Sequence, residues 1–336
     1  MFLSGADPQA VEQAAERLAA GELVAFPTET VYGLGARADD DTAVAKIFAA
    51  KGRPSEHPLI VHVGDVAQAR AFASTWPPLA GRLAAAFWPG PLTLIVPRRA
   101  GLAAAAAGGQ DTIGLRCPSH PLAHALLVAA AKRGVDGVAA PSANRFGRIS
   151  PTTAAHVQSE FADSLPALTV LDGGPCTVGI ESAIVDCSRG APVLLRPGSL
   201  AREALAAAAG EALLDRDAQA PRASGTLESH YAPRATLRLM PAAALRDAIV
   251  LWADAAARAP LAGPRLAVYS RTVRVPKAAG LVARQMPEAP RAAAYELFAV
   301  LRELDALGVA LIWVEYPPAG PDWDGVRDRL QRAAAA

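Results

Sequence analysis

The stretch LVAFPTETVYGLGARADDDTAVAKIFAAKGRPSEHPLIVHV, residues 23–63, decides how the chain is read. It opens on an apolar run, Leu23 to Phe26, with the character of a buried strand, which Pro27 ends. A polar turn of Thr28, Glu29 and Thr30 leads to Tyr32-Gly33-Leu34-Gly35. Asp39-Asp40-Asp41 then offers a helix cap, and Val44, Ile47 and Phe48 follow at helical spacing. A basic loop with Lys51, Arg53 and Pro54 precedes a second strand, Leu59 to Val63, carrying His62. Strand, polar loop, helix, basic loop and strand is an order that gathers side chains at one mouth of an α/β sheet. Two cations, several hydroxyls and a histidine gathered there suit a polyanionic ligand.

At 336 residues the chain is long for one core, so two domains are expected. It is 52% apolar and 19% charged, a composition that buries a core and excludes a disordered chain. Lys+Arg of 33 against Asp+Glu of 32 leaves no global basic field for nonspecific nucleic-acid binding. Cys117, Cys176 and Cys187 form no C-x-x-C pair, and their odd number argues against a disulfide framework. No basic segment followed by an apolar one opens the chain, and the Ala-rich runs are broken by charge, Gly or Pro. A soluble cytoplasmic protein with no membrane span is the expectation.

Outward from the opening stretch, Asp7-Pro8 starts a helix with Val11, Ala14, Ala15 and Leu18 on one face. Asp65–Phe72 and Leu79–Phe87 read as helices, and Trp88-Pro89-Gly90-Pro91 turns into a strand over Leu92–Val96. Gly101 to Gly109 reads as a loop or weak helix, Thr112–Arg116 as a strand ending in a cation, and Pro121–Lys132 as a helix. Gly137–Ala140 is a short strand running into Pro141-Ser142-Ala143-Asn144, and Ser150 could cap a helix begun by Pro151. Further strands are expected over Val170–Asp172, Ala183–Asp186 and Val193–Leu195. The resulting fold class is α/β, with an α+β-like twisted open sheet. An Ala-rich helix after Arg202, then Pro221-Arg222-Ala223-Ser224-Gly225 and His230-Tyr231-Ala232-Pro233, reads as a linker. Beyond it, strands over Leu266–Tyr269, Leu281–Ala283 and Leu311–Val314 with a helix over Ala292–Leu307 predict a second, smaller Rossmann-like α/β domain. The expected divisions are a catalytic domain over 1–205, a linker over 206–235 and a C-terminal domain over 236–336.

Gly33-Leu34-Gly35-Ala36-Arg37-Ala38 matches the G-x-G-x-x-A dinucleotide fingerprint only formally, because six residues separate it from the strand and the helix opens later, at the aspartates. No Walker A sequence occurs. His120 and His124 lie four apart on a predicted helix without a third ligand, so a surface or partly buried pair is the better reading than zinc. Asp172, Asp186 and Glu181 could hold magnesium or cap turns, and Ser142 and Ser182 lack a nucleophile-elbow context. Arg53, Arg116 and Arg196 each stand at or beside a strand end next to Gly or Pro, which favours capture of carboxylate or phosphate.

Taken together, PTETVYGLG, KGRPSEHPLIVH, FWPGPLTLI, TIGLRCPSHP, APSAN, SPT, GIESAIVD and LLRPG occur in the order found in the YrdC-like threonylcarbamoyl-AMP synthases, which residues 10 to 200 resemble. The SHYAP linker and the extra α/β domain resemble the two-domain branch of that family. The resemblance implies synthesis of threonylcarbamoyl-AMP from L-threonine, bicarbonate and ATP with release of pyrophosphate. A transferase complex acting on tRNA would be the partner, and Mg²⁺ would accompany ATP. It also implies that Thr30, His62, Arg116, Ala140 and Ser182 contact L-threonine, with Arg116 on the carboxylate. Arg53, His57, Thr112, Ser142, Ser150, Arg196 and Tyr231 would hold ATP, and Lys51 with Arg53 would stabilise the charge on the leaving pyrophosphate. The chain departs from the family pattern at His57, where asparagine is expected. Two rival readings are a related adenylate-forming enzyme with another substrate and an RNA-binding module without synthase activity.

Overall fold

The computed structural model describes residues 1–258, 265–278 and 280–336, which fall into two compact units. The first holds Met1–Phe146 and Ser150–Thr226; the second holds Gly147–Ile149 and Leu227–Ala336.

Short β-branched and apolar runs between Gly and Pro turns build the first unit's sheet. Its strands are β1 (Phe2–Ser4), β2 (Val24–Phe26), β3 (Gly33–Arg37), β4 (Ile60–His62), β5 (Leu92–Pro97) and β6 (Thr112–Arg116). They continue with β7 (Val138–Ala139), β8 (Thr169–Asp172), β9 (Ala183–Asp186), β10 (Val193–Arg196) and β11 (Leu214–Asp215). The order across this 11-stranded sheet is β1-β8-β2-β3-β7-β4-β6-β5-β9-β10-β11. Parallel pairs such as β4 with β6 alternate with antiparallel ones such as β3 with β7, so the sheet is mixed.

Three layers cover it. One face packs Leu34, Val61, Leu94, Leu115 and Val185 against helices that supply Val44, Ile47, Phe72, Leu79 and Leu83. On the opposite face, Val24, Phe26, Val138 and Leu171 meet Ala14, Ala15, Leu18, Leu126 and Leu127 from helices Ala10–Ala19 and Pro121–Ala131. Farther along that same face, Ile60, Ile95, Ile184, Val193 and Leu195 are covered by Ala220 and Ala223. No helix lies over this last patch among the described residues; an irregular strap does. Because side chains alternate along a strand, His62 shares a face with Ile60, Arg116 with Gly114, and Thr93 with Ile95. These polar groups therefore stand between the helical cover and the strap.

Two local expectations are corrected. The helix after Pro151 spans Ala154–Phe161 and is capped by Thr153, whose hydroxyl accepts from the His156 amide at 3.2 Å; Ser150 is not its cap. The hydroxyl of Ser150 is committed to Glu181 instead. Gly33–Arg37, where no strand is expected between the polar turn and the helix, is strand β3, antiparallel to both β2 and β7. Its glycines serve packing, since a Cβ on Gly35 would sit 2.8 Å from Phe26 Cε1 and 2.8 Å from Val138 Cγ1. The helix opening at Asp41 is capped by Asp40, whose carboxylate accepts from the Thr42 and Ala43 amides.

The second unit has four parallel strands, β12 (Thr236–Met240), β13 (Leu266–Ser270), β14 (Leu281–Gln285) and β15 (Leu311–Glu315), in the order β12-β15-β13-β14. At its carboxyl edge, where such sheets bind ligands, Glu315 accepts hydrogen bonds from the amides of Arg271, Thr272 and Val273 at 2.7–3.0 Å. That edge is filled by the unit's own carboxylate. The unit also takes in three residues of a distant loop: the Ala232 amide donates to Gly147 O at 2.8 Å, Arg302 donates to Ile149 O, and Arg148 pairs with Asp305 at 3.3 Å.

Gly35→Ala tests the packing role of β3. The added methyl should destabilise the protein by about 1–3 kcal/mol through overpacking, read as a lower denaturant midpoint at unchanged slope. An unchanged midpoint would mean that the glycine is there for another reason.

Candidate active site

Side chains are brought to this site by three loops sewn together through their backbones. Tyr32 N donates to Pro151 O at 2.9 Å, Ala143 N to Tyr32 O at 2.8 Å, and Val178 N to Glu29 O at 2.7 Å. The turn after β2 is built by Thr28, whose hydroxyl donates to Val31 O at 2.7 Å and meets the Thr30 hydroxyl at 2.8 Å. That turn buries both threonines and Glu29.

Lys51 is buried at the C-terminus of helix Asp41–Lys51, and its ammonium donates to Ser142 O at 2.6 Å and to Asn144 O. Its own carbonyl accepts from the Phe146 amide at 2.8 Å. One residue thus stitches the loop carrying Ser142 to the helix. Gly52 follows in the left-handed conformation, with φ of 62°, and turns the chain so that Arg53 folds back. The Arg53 guanidinium donates to Pro58 O at 3.0 Å and lies 5.6 Å from the centre of the Phe146 ring. His57 packs edge-on against the same ring at 5.4 Å, and burial with the Arg53 charge lowers its pKa.

His62 and Arg116 are register partners at the ends of parallel β4 and β6. Burial, reinforced by the Arg116 charge, pushes His62 down to about 3, so its ring is neutral at physiological pH. Arg116, 3% exposed, faces Glu29, 5% exposed, with Nη2 and Oε1 2.7 Å apart. The other carboxylate oxygen of Glu29 accepts from the Ser119 amide at 3.2 Å, and Arg116 Nε donates to Gly90 O at 3.3 Å. Ser182 shares a hydrogen bond with Thr93 at 2.8 Å, and its carbonyl accepts from Nε and Nη2 of Arg196 at 3.1 and 2.9 Å. Arg196 Nη1 reaches Ser224 O on the strap at 2.8 Å. Thr112 lines a slot of about 10 Å³, walled by Ile60, Thr93, Ile95 and Ile184 and roofed by Arg222, Ala223 and Ser224.

The first unit therefore holds Thr30, Lys51, Arg53, His57, His62, Thr112, Arg116, Ala140, Ser142, Ser150, Ser182 and Arg196 on neighbouring strand ends and loops. Tyr231 belongs to the second unit, where its buried ring lies 5.4 Å from Phe298 and 5.5 Å from the Arg329 guanidinium. His120 is a helix cap, its Nδ1 accepting from the Leu122 amide at 3.2 Å, and His124 is exposed. Among the described residues, no group of three or more His, Cys, Asp or Glu could hold a metal ion. Sequence reasoning passed over Glu29 and Asn144. A turn acid and a loop amide carry no signal that tells burial from solvent exposure.

Known proteins resemble the chain over most of its length. The family model described as Telomere recombination (Sua5, YciO and YrdC) matches residues 16–198. The model for the threonylcarbamoyl-AMP synthase C-terminal domain matches residues 200–335. A threonylcarbamoyl-AMP synthase from Bacillus subtilis is 43% identical over 242 residues, covering 70% of this chain and 68% of its own. One from Schizosaccharomyces pombe is 31% identical over 352 residues, covering 93% and 85%. The crystal structure of Pyrococcus abyssi Sua5 complexed with L-threonine superposes with a TM-score of 0.88 at 33% identity, covering 99% of this chain and 97% of that one.

The low pKa of His62 has a consequence for stability. Its folded pKa lies below the usual 6.5, so between pH 6.5 and pH 3 the unfolded chain binds a proton that the folded one refuses. Stability is therefore lost as pH falls through that window, by about 2 kcal/mol between pH 7.5 and pH 5. Unfolding curves of the wild type and His62→Gln should diverge in slope over this range. Parallel curves would show that His62 titrates normally.

Proposed function

The chain belongs to the threonylcarbamoyl-AMP synthase family, and on that premise we propose that it joins L-threonine, bicarbonate and ATP into threonylcarbamoyl-AMP, releasing pyrophosphate. The observation that best supports this reading is the dry sheet face with Arg116, His62 and Thr30 on one side and the Lys51–Ser142–Arg53 loops beside it. The amino-acid carboxylate suits the Arg116 fork, and a neutral His62 ring suits an uncharged hydroxyl. Thr30, Ala140 and Ser182 would line the rest of the threonine site. ATP would lie along Arg53, His57, Thr112, Ser142, Ser150 and Arg196.

The reaction needs no covalent enzyme intermediate. The threonine amine becomes a carbamate, whose oxygen attacks the α-phosphorus as pyrophosphate leaves. Catalysis is then positioning and charge stabilisation. Lys51 and Arg53 would face the charge that grows on the leaving pyrophosphate. Mg²⁺ carried by ATP would take oxygen ligands, chiefly phosphate and water, and would neutralise phosphate charge beside Lys51 and Arg53. The product would pass to a transferase complex acting on tRNA. Residues 1–205 would form the catalytic domain, 206–235 its connection and 236–336 a C-terminal domain. Among the described residues no helix is long and apolar enough to cross a membrane.

The deciding assay is pyrophosphate release from ATP in the presence of threonine and bicarbonate. Release should need both co-substrates, and Arg116→Ala should weaken threonine by about 2–5 kcal/mol. Release indifferent to threonine would move the reading to another amino-acid-like substrate. No release, with RNA bound in a salt-dependent way, would favour the RNA-binding module. Lys51→Met should lower turnover about 10²-fold while threonine affinity, measured by calorimetry, stays near that of the wild type. A loss confined to affinity would remove Lys51 from the transition state.

A further inference from the structure

Three buried polar atoms grouped at one place on the sheet make no hydrogen bond: Glu29 Oε1, Arg116 Nη2 and His62 Nδ1. Buried polar groups are almost always satisfied, so each exception asks for an explanation. Glu29 Oε1 and Arg116 Nη2 are 2.7 Å apart yet out of line for a hydrogen bond, and His62 is the register neighbour of Arg116. A ligand that completes this set must offer an acceptor to the guanidinium, a donor to the carboxylate and a neutral polar group to the imidazole. A zwitterionic hydroxy-amino acid offers all three.

We propose that Glu29 binds the α-ammonium of the amino-acid substrate and accepts one of its protons as the carbamate forms, an assignment that rests on the synthase reading above. Charge balance supports it. Glu29 and Arg116 together are neutral, and a zwitterion inserted between them leaves the buried site neutral. A substrate carboxylate taking Arg116 without an ammonium for Glu29 would leave a buried charge uncompensated, which is costly. The other carboxylate oxygen already has a fixed donor in the Ser119 amide, so the group is held in place while Oε1 stands against Arg116 Nη2 without a hydrogen bond.

The chemistry needs such a group, because an ammonium has no lone pair with which to attack. One N–H proton passes to the Glu29 carboxylate and leaves a neutral amine. The amine lone pair forms the N–C bond to bicarbonate, the C–OH bond breaks, and the second N–H proton leaves with hydroxide as water, giving the carbamate. The titratable neighbours are poor alternatives. Burial holds Cys117 and Cys176 as thiols, pushed up to about 11 and about 12, and His62 stands beside the Arg116 cation, which opposes a second positive charge there.

The test compares L-threonine with 3-hydroxybutanoate, which keeps the carboxylate and the hydroxyl but lacks the ammonium. Calorimetry on the full chain should show wild type binding threonine about 10²-fold more tightly. Glu29→Gln should erase that preference by weakening threonine alone, and should lower threonine-dependent pyrophosphate release about 10²-fold. Equal affinity of the wild type for the two ligands would overturn the inference without any variant, even if Glu29→Gln failed to fold. So would a Glu29→Gln protein that loses both ligands alike, the mark of a purely structural partner of Arg116. Wild type that prefers threonine yet releases no pyrophosphate would sink the synthase reading while leaving ammonium recognition standing, so the two failures are told apart.

Discussion

A carboxylate and a guanidinium almost cut off from water, Glu29 and Arg116, set the terms for the rest of the site. Neither could be tolerated there alone, because an isolated buried charge costs several kcal/mol. Each is held by a different element, Glu29 by the threonine turn after β2 and Arg116 by the end of β6. The pair therefore ties two strands that lie apart in the sheet order and forces the loops between them to close around it. Burial governs the neighbouring groups. His62 is kept neutral beside the Arg116 cation, and the nearby thiols stay protonated.

Lys51 plays the matching part on the other side. Its ammonium holds backbone carbonyls of Ser142 and Asn144, so that loop is tied to the helix end. Arg196 does the same at the strap, where its guanidinium spans Ser182 O and Ser224 O. Cations here work first as organisers of main chain, each holding a loop that carries hydroxyls.

The outline of the first unit was legible because its strands are apolar runs closed by Gly or Pro, and the place of His62 and Arg116 at strand ends, with Lys51 at the end of the helix before β4 and Arg53 on the loop that follows, came from that outline. Strand β3 was not legible. Gly-Leu-Gly-Ala-Arg has the composition of a turn, and only the tight packing of Phe26 and Val138 over Gly35 makes it a strand. Ser150 misled because serine before proline is a good cap in isolation; tertiary contact with Glu181 outweighed it. Glu29 was invisible for a related reason. Between two threonines and beside a proline, an acid reads as a solvated turn residue, and its burial depends on Arg116, 87 positions away in the sequence.

The three-residue detour Gly147–Ile149 bears on how this protein can be divided. It belongs by its packing to the second unit, while Asn144 and Ser150 on either side belong to the first. A cut after Thr226 would strip Gly147 O of the Ala232 amide, Ile149 O of Arg302 and Arg148 of Asp305 at once. The second unit is therefore discontinuous in the sequence. A shortened catalytic version, natural or engineered, would need a rewritten loop at this point as well as a new terminus.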